Sequence, residues 1–328
     1  MYSNNQLNLD IIQNECQNAP NPFLPTEFTT NKDELNRQLL SVRADQLKTV
    51  VESNVNSDQQ ILQTVYQYTN SERVQIASEY QAKYVSSLAS DIKKSASTLS
   101  FILESAFQDR YLFWAQQIHG IANNSKPNEK FLISLVLLMS DTDVVQVNTH
   151  YKTLYNMDLK KAISQGTPDS DWAQLLQTWV ICENDKEMEP EATADHFYQA
   201  AKGFGTDVNM FVHLLCSCTG SCFKLVCEAY QKKYKKSLYK VIEKEFKGTN
   251  EFAFLLAHEF LVNPAEGVAF ALKQGCREQN MMLIATTLIH SEKYIETIKM
   301  AYTRLGDLQQ DIAKYGKYVE IVSKMWGL

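Results

Sequence analysis

Apolar residues in this chain recur three and four positions apart in short runs, separated by brief polar stretches of Ser, Thr, Asn, Asp or Gly. That spacing lays an apolar stripe along one face of a helix. The alternation and tight turns that mark strands are missing, so the pattern predicts an almost wholly helical protein. Residues 1–34, with "SNNQLN", "QNECQN" and "APNPFLP", are rich in Asn, Gln and Pro, lack sustained periodicity, and read as a flexible tail. Between "ENDKEMEPEAT" and Val262 the pattern predicts five short helices, at about 191–201, 208–217, 221–234, 238–246 and 250–261.

Those helices recur. "EYQAKYVSSLASDI" from Glu79, "HYKTLYNMDLKKAI" from His150, "AYQKKYKKSLYKVI" from Ala229 and "AYTRLGDLQQDI" from Ala301 align on tyrosines 80, 151, 230 and 302, at intervals of 71, 79 and 72. Eight residues after each of the first three tyrosines stands a leucine (Leu88, Leu159, Leu238), and twelve after stands an isoleucine (Ile92, Ile163, Ile242). The fourth copy fits with two residues deleted. A period of this length means stacked repeats, none of which buries its apolar faces alone. Four five-helix repeats are expected, over 35–109, 110–182, 183–262 and 263–328, with the acidic "ENDKEMEPEAT" absorbing the longer second interval.

Composition adds limits. The chain has 328 residues and 45% hydrophobic content, enough for a large core. Its longest apolar run, "FLISLVLLM" from Phe131 to Met139, is about half of the roughly 20 residues a membrane-spanning helix needs. The N-terminus shows no basic stretch followed by an apolar one, and seven cysteines without framework spacing read as reduced thiols, so an intracellular protein is expected. With 32 basic and 38 acidic residues the net charge is −6. That sign disfavours nucleic acid, and disfavours anionic lipid unless a cation or a local patch reverses it.

Candidate chemistry lies in "AKGFGTD", Ala201 to Asp207, between the first and second helices of the third repeat. The last carbonyls of a helix lack intrahelical partners and sit at its negative end. Glycine permits the positive φ that turns successive carbonyls toward one point, and Thr206 or Asp207 can cap the next helix. A hard cation such as Ca²⁺ takes about 6 to 8 oxygens, and a distant carboxylate could add to such a shell. By itself the stretch also reads as ordinary punctuation, a glycine at one helix end and a threonine at the next start.

The four units of five helices, with "KGFGTD" after the first helix of the third, resemble the annexin family. In that family's calcium signature, G-x-G-T is followed by thirty-eight residues and then an acid. Here Gly203-Phe204-Gly205-Thr206 is followed, after residues 207–244, by Glu245. The resemblance implies an all-α fold of four repeats packed in a curved disc. It also implies calcium held by the carbonyls of Ala201, Gly203 and Gly205 and by the Glu245 carboxylate. Lys202 and Phe204 are the candidate lipid contacts; Phe204 reads either as an aromatic entering the bilayer interface or as packing against Lys202.

The other copies depart from the signature. "ESNVNSD" (Glu52–Asp58) has no glycine, and Ser95 stands at the acid position. "NNSKPNE" (Asn123–Glu129) pairs with Gly166, and "KQGCREQ" (Lys273–Gln279), carrying the repelling Arg277, pairs with Tyr315. Most annexins carry an arginine at the end of the second helix of each unit, where this chain has Tyr68, Met139, Cys218 and Ile289. With "SLASDIKKSASTLSFILESAFQDR" and "DSDWAQLLQTW", these departures resemble the alpha-giardins, annexin homologues of a flagellated protist. What that implies is calcium-dependent peripheral binding to anionic phospholipid, on the cytoplasmic, inner face of the plasma membrane, linking it to a microtubule or other cytoskeletal partner in the flagella or disc. The alternative is a cytoskeletal scaffold that needs no calcium.

Two further clusters remain. Cys216, Cys218, Cys222 and Cys227 match no paired zinc spacing and read as small buried apolar residues. "QKKYKKSLYK" (Gln231–Lys240) reads as a solvated helix end or as a patch for acidic lipid or an acidic tubulin-like partner. The resemblance places it on the face opposite the calcium loop. No nucleophile elbow, phosphate loop or HExxH pair occurs, and the six histidines are scattered singly, so no enzymatic activity is expected.

Overall fold

The third helix of each of the first three repeats opens on a hydroxyl cap: Thr69, Ser140 and Thr219 each accept a hydrogen bond from the backbone N–H three residues on. At Thr69 and Ser140 an acid at that position answers back, completing a capping box. The same helices stop on a left-handed residue, Val85 (φ 57°), Asn156 (φ 50°) and Lys235 (φ 58°). Start and stop signals therefore repeat with the period of the tyrosines.

The computed structural model describes residues 26–53, 57–95, 99–181, 188–203, 205–278, 280–292 and 294–328. Most of the expected tail, and residues 183–187 of the acidic linker, lie outside these residues. Repeat 1 comprises α1 (Thr26–Ser53), α2 (Ser57–Gln67), α3 (Asn70–Tyr84), α4 (Leu88–Ser95) and α5 (Ser100–Ala106). Repeat 2 comprises α6 (Arg110–Ala122), α7 (Glu129–Leu137), α8 (Asp141–Tyr155), α9 (Leu159–Gly166) and α10 (Asp171–Trp179). Repeat 3 comprises α11 (Pro190–Ala200), α12 (Val208–Ser217), α13 (Gly220–Tyr234), α14 (Leu238–Glu245) and α15 (Gly248–Val262). Repeat 4 comprises α16 (Pro264–Glu278), α17 (Asn280–His290), α18 (Ile295–Tyr302), α19 (Leu308–Ile312) and α20 (Val319–Met325). The fold is all-α, and the five helices expected in repeat 3 differ from those observed by at most two residues at either end. The helix expected to begin after the tail begins earlier, at Thr26.

The aligned positions are the core. Tyr80, Tyr151, Tyr230 and Tyr302 are buried, as are Leu88, Leu159, Leu238 and Leu308, and Ile92, Ile163, Ile242 and Ile312. A buried tyrosine must still place its hydroxyl. Tyr80 donates to Asp91 (2.8 Å) and Tyr302 to Asp311 (2.9 Å). An ion pair also repeats: Lys83–Asp45 and Lys233–Asp195 join the third helix of a repeat to its first, and Arg304–Glu266 joins the turn after the third helix of repeat 4 to its first. Repeat 2 lacks it, because Gln116 and Leu154 stand at the corresponding positions.

Between repeats, α15 packs on α7 and α16, and α17 on α5 and α6, so the second, third and fourth units meet one another and the fourth meets the first. Polar bonds stitch these seams: Thr249 donates to Glu129 (2.7 Å), Asn250 to Asp171 (2.8 Å), and Arg73 to Glu292 (2.8 Å). Among the described residues no single helix is long and apolar enough to cross a membrane.

Val85 is 93% exposed and β-branched, yet left-handed, a conformation costing an L-residue about 1–2 kcal/mol. Asn156 fills the equivalent place in repeat 2 at lower cost. Val85→Asn is expected to raise stability by about 1 kcal/mol, read as a higher melting temperature; an unchanged or lower one contradicts this account.

Candidate metal centre

In repeat 3 the chain leaves α11 through Ala201, turns over two glycines of positive φ, Gly203 (114°) and Gly205 (91°), and enters α12. A Cβ at either glycine would meet no atom within 4 Å, so it is φ, not crowding, that calls for glycine. The loop is closed by the Asp207 N–H on the Ala200 carbonyl (2.8 Å). Asp207 then caps α12 by accepting from Met210 N (3.0 Å). Among the described residues no N–H donates to the carbonyls of Ala201, Gly203 or Gly205, which leaves three oxygens in one exposed loop for an outside partner.

Glu245, the last residue of α14, stands beside this loop. Thr206, free of capping duty, donates its hydroxyl to Glu245 Oε2 (2.9 Å), clipping the loop to the carboxylate. Lys244 Nζ lies on Oε1 (2.7 Å). Hydrogen bonding from Lys244, against some desolvation, and then from Thr206 holds the carboxyl below its ordinary value, so it is an anion at neutral pH. The structure thus brings Glu245 to the loop that carries Ala201, Gly203 and Gly205. Lys202 is exposed, with its ammonium 5.7 Å from the Tyr198 ring centre; Phe204 lies outside the described residues. Neutral carbonyls plus one carboxylate are the donor set a calcium ion accepts, and the residues fit that ion. Their carbonyl chemistry also explains why no cluster of three acidic, His or Cys side chains is needed, and none occurs among the described residues.

The equivalents of the Glu245 position in the other three repeats are taken up by different means. In repeat 1 the hydroxyl clip survives, but Ser57 donates to the main-chain carbonyl of Ser95 (3.3 Å) because no carboxylate is there. In repeat 2, a Cβ at Gly166 would lie 2.5 Å from the Ala122 carbonyl oxygen, so backbone fills the space of the acid. In repeat 4, α16 runs to Glu278 and α17 resumes at Asn280, leaving no open loop. Tyr315 donates its hydroxyl to the Gly275 carbonyl (2.9 Å), and burial raises that phenol to about 12, keeping it a donor.

Two expectations change. The lysines of "QKKYKKSLYK" do not face away from the loop: Lys233, Lys236 and Lys240 line one cleft with Ala201, Lys202 and Glu245. Sequence reading also missed that Lys244 occupies the Glu245 carboxylate, although adjacency in the chain was a signal. The cysteines behave as packing residues. Cys218 is buried against Met188 (sulfur to sulfur 3.8 Å), and burial pushes its thiol upward, away from the reactive thiolate.

Four five-helix repeats, one of which carries an open glycine loop clipped to a distant carboxylate, define an all-α repeat protein with one open helix-end loop. The annexin family model matches residues 192–256, the stretch containing that loop and its acid. Annexin A7 of Dictyostelium discoideum is 26% identical over 255 residues, 74% of this chain and 54% of that protein. Annexin E1 of Giardia intestinalis is 25% identical over 235 residues, 67% of this chain and 69% of the other. The match thus spans about half the length of annexin A7. The solved structure of calcium-bound alpha-1 giardin superposes with a TM-score of 0.76 at 21% identity, over 88% of this chain and 99% of that one. Over residues 192–256 the chain matches the annexin family, and along most of its length it is similar to annexins and to giardins.

Proposed function

We propose that the protein binds calcium through the loop of repeat 3 and, with it, the surface of anionic phospholipid membranes. The observation that carries this reading is the Thr206–Glu245 hydrogen bond, which joins the glycine loop to an anionic carboxylate thirty-nine residues on. Ala201, Gly203 and Gly205 would supply carbonyls and Glu245 the single negative ligand. A calcium ion there supplies positive charge that a lipid phosphate can share. In a chain of net charge −6, that local reversal permits an anionic surface. The match to the annexin family over residues 192–256 supports calcium and phospholipid binding in general, and the giardin neighbour is a calcium-bound structure. With one carboxylate, the affinity without lipid belongs at about 10⁻⁴ to 10⁻³ M. Exposed Lys202 is positioned to touch headgroups. The role is one of binding rather than catalysis, and attachment to a cytoskeletal partner at the inner face of the plasma membrane is the wider form of the reading, resting on the resemblance to the giardins.

A second reading, a scaffold that needs no calcium, is favoured by one observation: in the three other repeats the protein's own atoms take up the place of the acid. Sedimentation with phosphatidylserine vesicles separates the two. The calcium loop predicts pelleting with calcium and its loss in chelator; equal pelleting in both, or none in either, overturns it.

A further inference from the structure

Beside the loop of repeat 3 an open cleft of about 510 Å³ runs between α11, the end of α13 and α14. Five exposed lysines line it: Lys202, Lys233, Lys236, Lys240 and Lys244. Its wall is aromatic and preformed, because the rings of Tyr198 and Tyr234 stack at 4.0 Å and 1°. Lys202 and Lys233 each hold their ammonium 5.7 Å from the centre of one of these rings. Tyr234 is fixed from behind by its hydrogen bond to Asp195 (2.6 Å).

Three carboxylates face the five ammonium groups. Asp195 holds Lys233 (2.6 Å), Glu243 holds Lys240 (2.6 Å) and Glu245 holds Lys244 (2.7 Å). No ion pair to Lys202 or Lys236 occurs among the described residues. The cleft is thus locally cationic in an acidic chain. Its volume lies in the range of small-ligand sites. A phosphodiester carries one charge, for which a single lysine suffices, whereas phosphate monoesters carry about 1.5 to 2 each and call for several donors.

We propose that this cleft binds a compact ligand bearing two or more phosphate monoesters, the chemistry shared by a phosphoinositide headgroup and a soluble inositol polyphosphate, and that Lys244 couples it to the calcium loop. The coupling follows from the Glu245 carboxylate, whose two oxygens are taken by Thr206 and Lys244. A cation engaging Glu245 releases Lys244, which then joins the other lysines. Calcium and polyphosphate therefore strengthen each other's binding, as linkage requires. The coupling rests on the calcium reading above; the anion site does not.

The test compares phosphatidylcholine vesicles doped with phosphatidylinositol bisphosphate or, at matched charge, with phosphatidylserine, and uses soluble inositol hexakisphosphate as the third probe. In chelator, the full chain is expected to bind bisphosphate vesicles and not phosphatidylserine vesicles. The double variant Lys236→Gln, Lys240→Gln is expected to lose about tenfold or more of that binding, with calcium-dependent phosphatidylserine binding unchanged. Lys244→Gln should bind calcium more tightly without lipid, yet abolish the gain that calcium gives to hexakisphosphate binding. Hexakisphosphate binding lost in the double variant, with neither vesicle bound in chelator, upholds the chemistry and assigns the soluble source. Measurable and equal binding of both vesicles in chelator, or a double variant that binds all probes like the wild type, overturns the site. If phosphatidylserine binding proves independent of calcium while the bisphosphate arm holds, the calcium loop fails and the cleft stands.

Discussion

Glu245→Gln is expected to abolish calcium-dependent pelleting with phosphatidylserine vesicles at calcium concentrations that saturate the wild type. The glutamine keeps the shape and can still accept from Thr206, but it removes the only anionic ligand, leaving neutral carbonyls around a divalent ion. Stability should change by less than about 1 kcal/mol, since the Lys244 pair it breaks is solvent-screened. The carboxyl is held below its ordinary value, so the little stability it contributes is present above the unfolded-state pKa and fades only as pH falls through the lowered folded value. Unchanged circular dichroism with lost pelleting is the expected pair of results; retained calcium-dependent pelleting returns "AKGFGTD" to a plain turn.

Arg73→Met should cost about 3–5 kcal/mol, the usual penalty for breaking a buried charged network from one side. Arg73 is 1% exposed. Its guanidinium donates to the carbonyls of Ala106 (2.6 Å), Val65 (3.2 Å) and Tyr68 (2.5 Å) and to Glu292 (2.8 Å). One side chain thereby satisfies the ends of α2 and α5 and ties repeat 1 to repeat 4. Methionine fills part of the volume but leaves three carbonyls without a donor, and melting should fall by about 6 °C or more in a chain of this size. Glu292→Gln, which spares the carbonyl bonds, is the milder control. Equal melting of Arg73→Met and wild type would show that water reaches those carbonyls.

The helices were legible because their information is local: apolar spacing, hydroxyl caps, and tyrosines, leucines and isoleucines recurring at one period and buried in every copy. The glycine loop was legible for the same reason, since positive φ at Gly203 and Gly205 is a property of two residues. Glu245 was reachable only through the spacing seen by resemblance. What stayed hidden depends on how helices approach one another. "KQGCREQ" looks like a loop, yet Gly275 lies inside α16, where an added Cβ would sit 3.0 Å from the Leu283 nitrogen; close helix crossing, not a turn, requires that glycine. The family arginine is absent at Tyr68, and nothing local reveals that Arg73, five residues on, reaches back to the Tyr68 carbonyl. The resemblance places the lysines of "QKKYKKSLYK" on the far side, and neither it nor periodicity says that α14, only eight residues long, keeps Lys240, and Lys244 beyond that stretch, within one cleft of Lys202.

The three closed loops bear on valency. A disc with four open loops grips a bilayer at several points, so that release requires all of them to let go together, and avidity multiplies weak contacts by large factors. On the proposed reading this chain, with Ser57, Gly166 and Tyr315 occupying the equivalent places, would keep a single calcium-dependent foothold. Its attachment should follow calcium with a Hill coefficient near one and let go at the rate of one contact, a tether that reads the present calcium level and keeps no record of an earlier one.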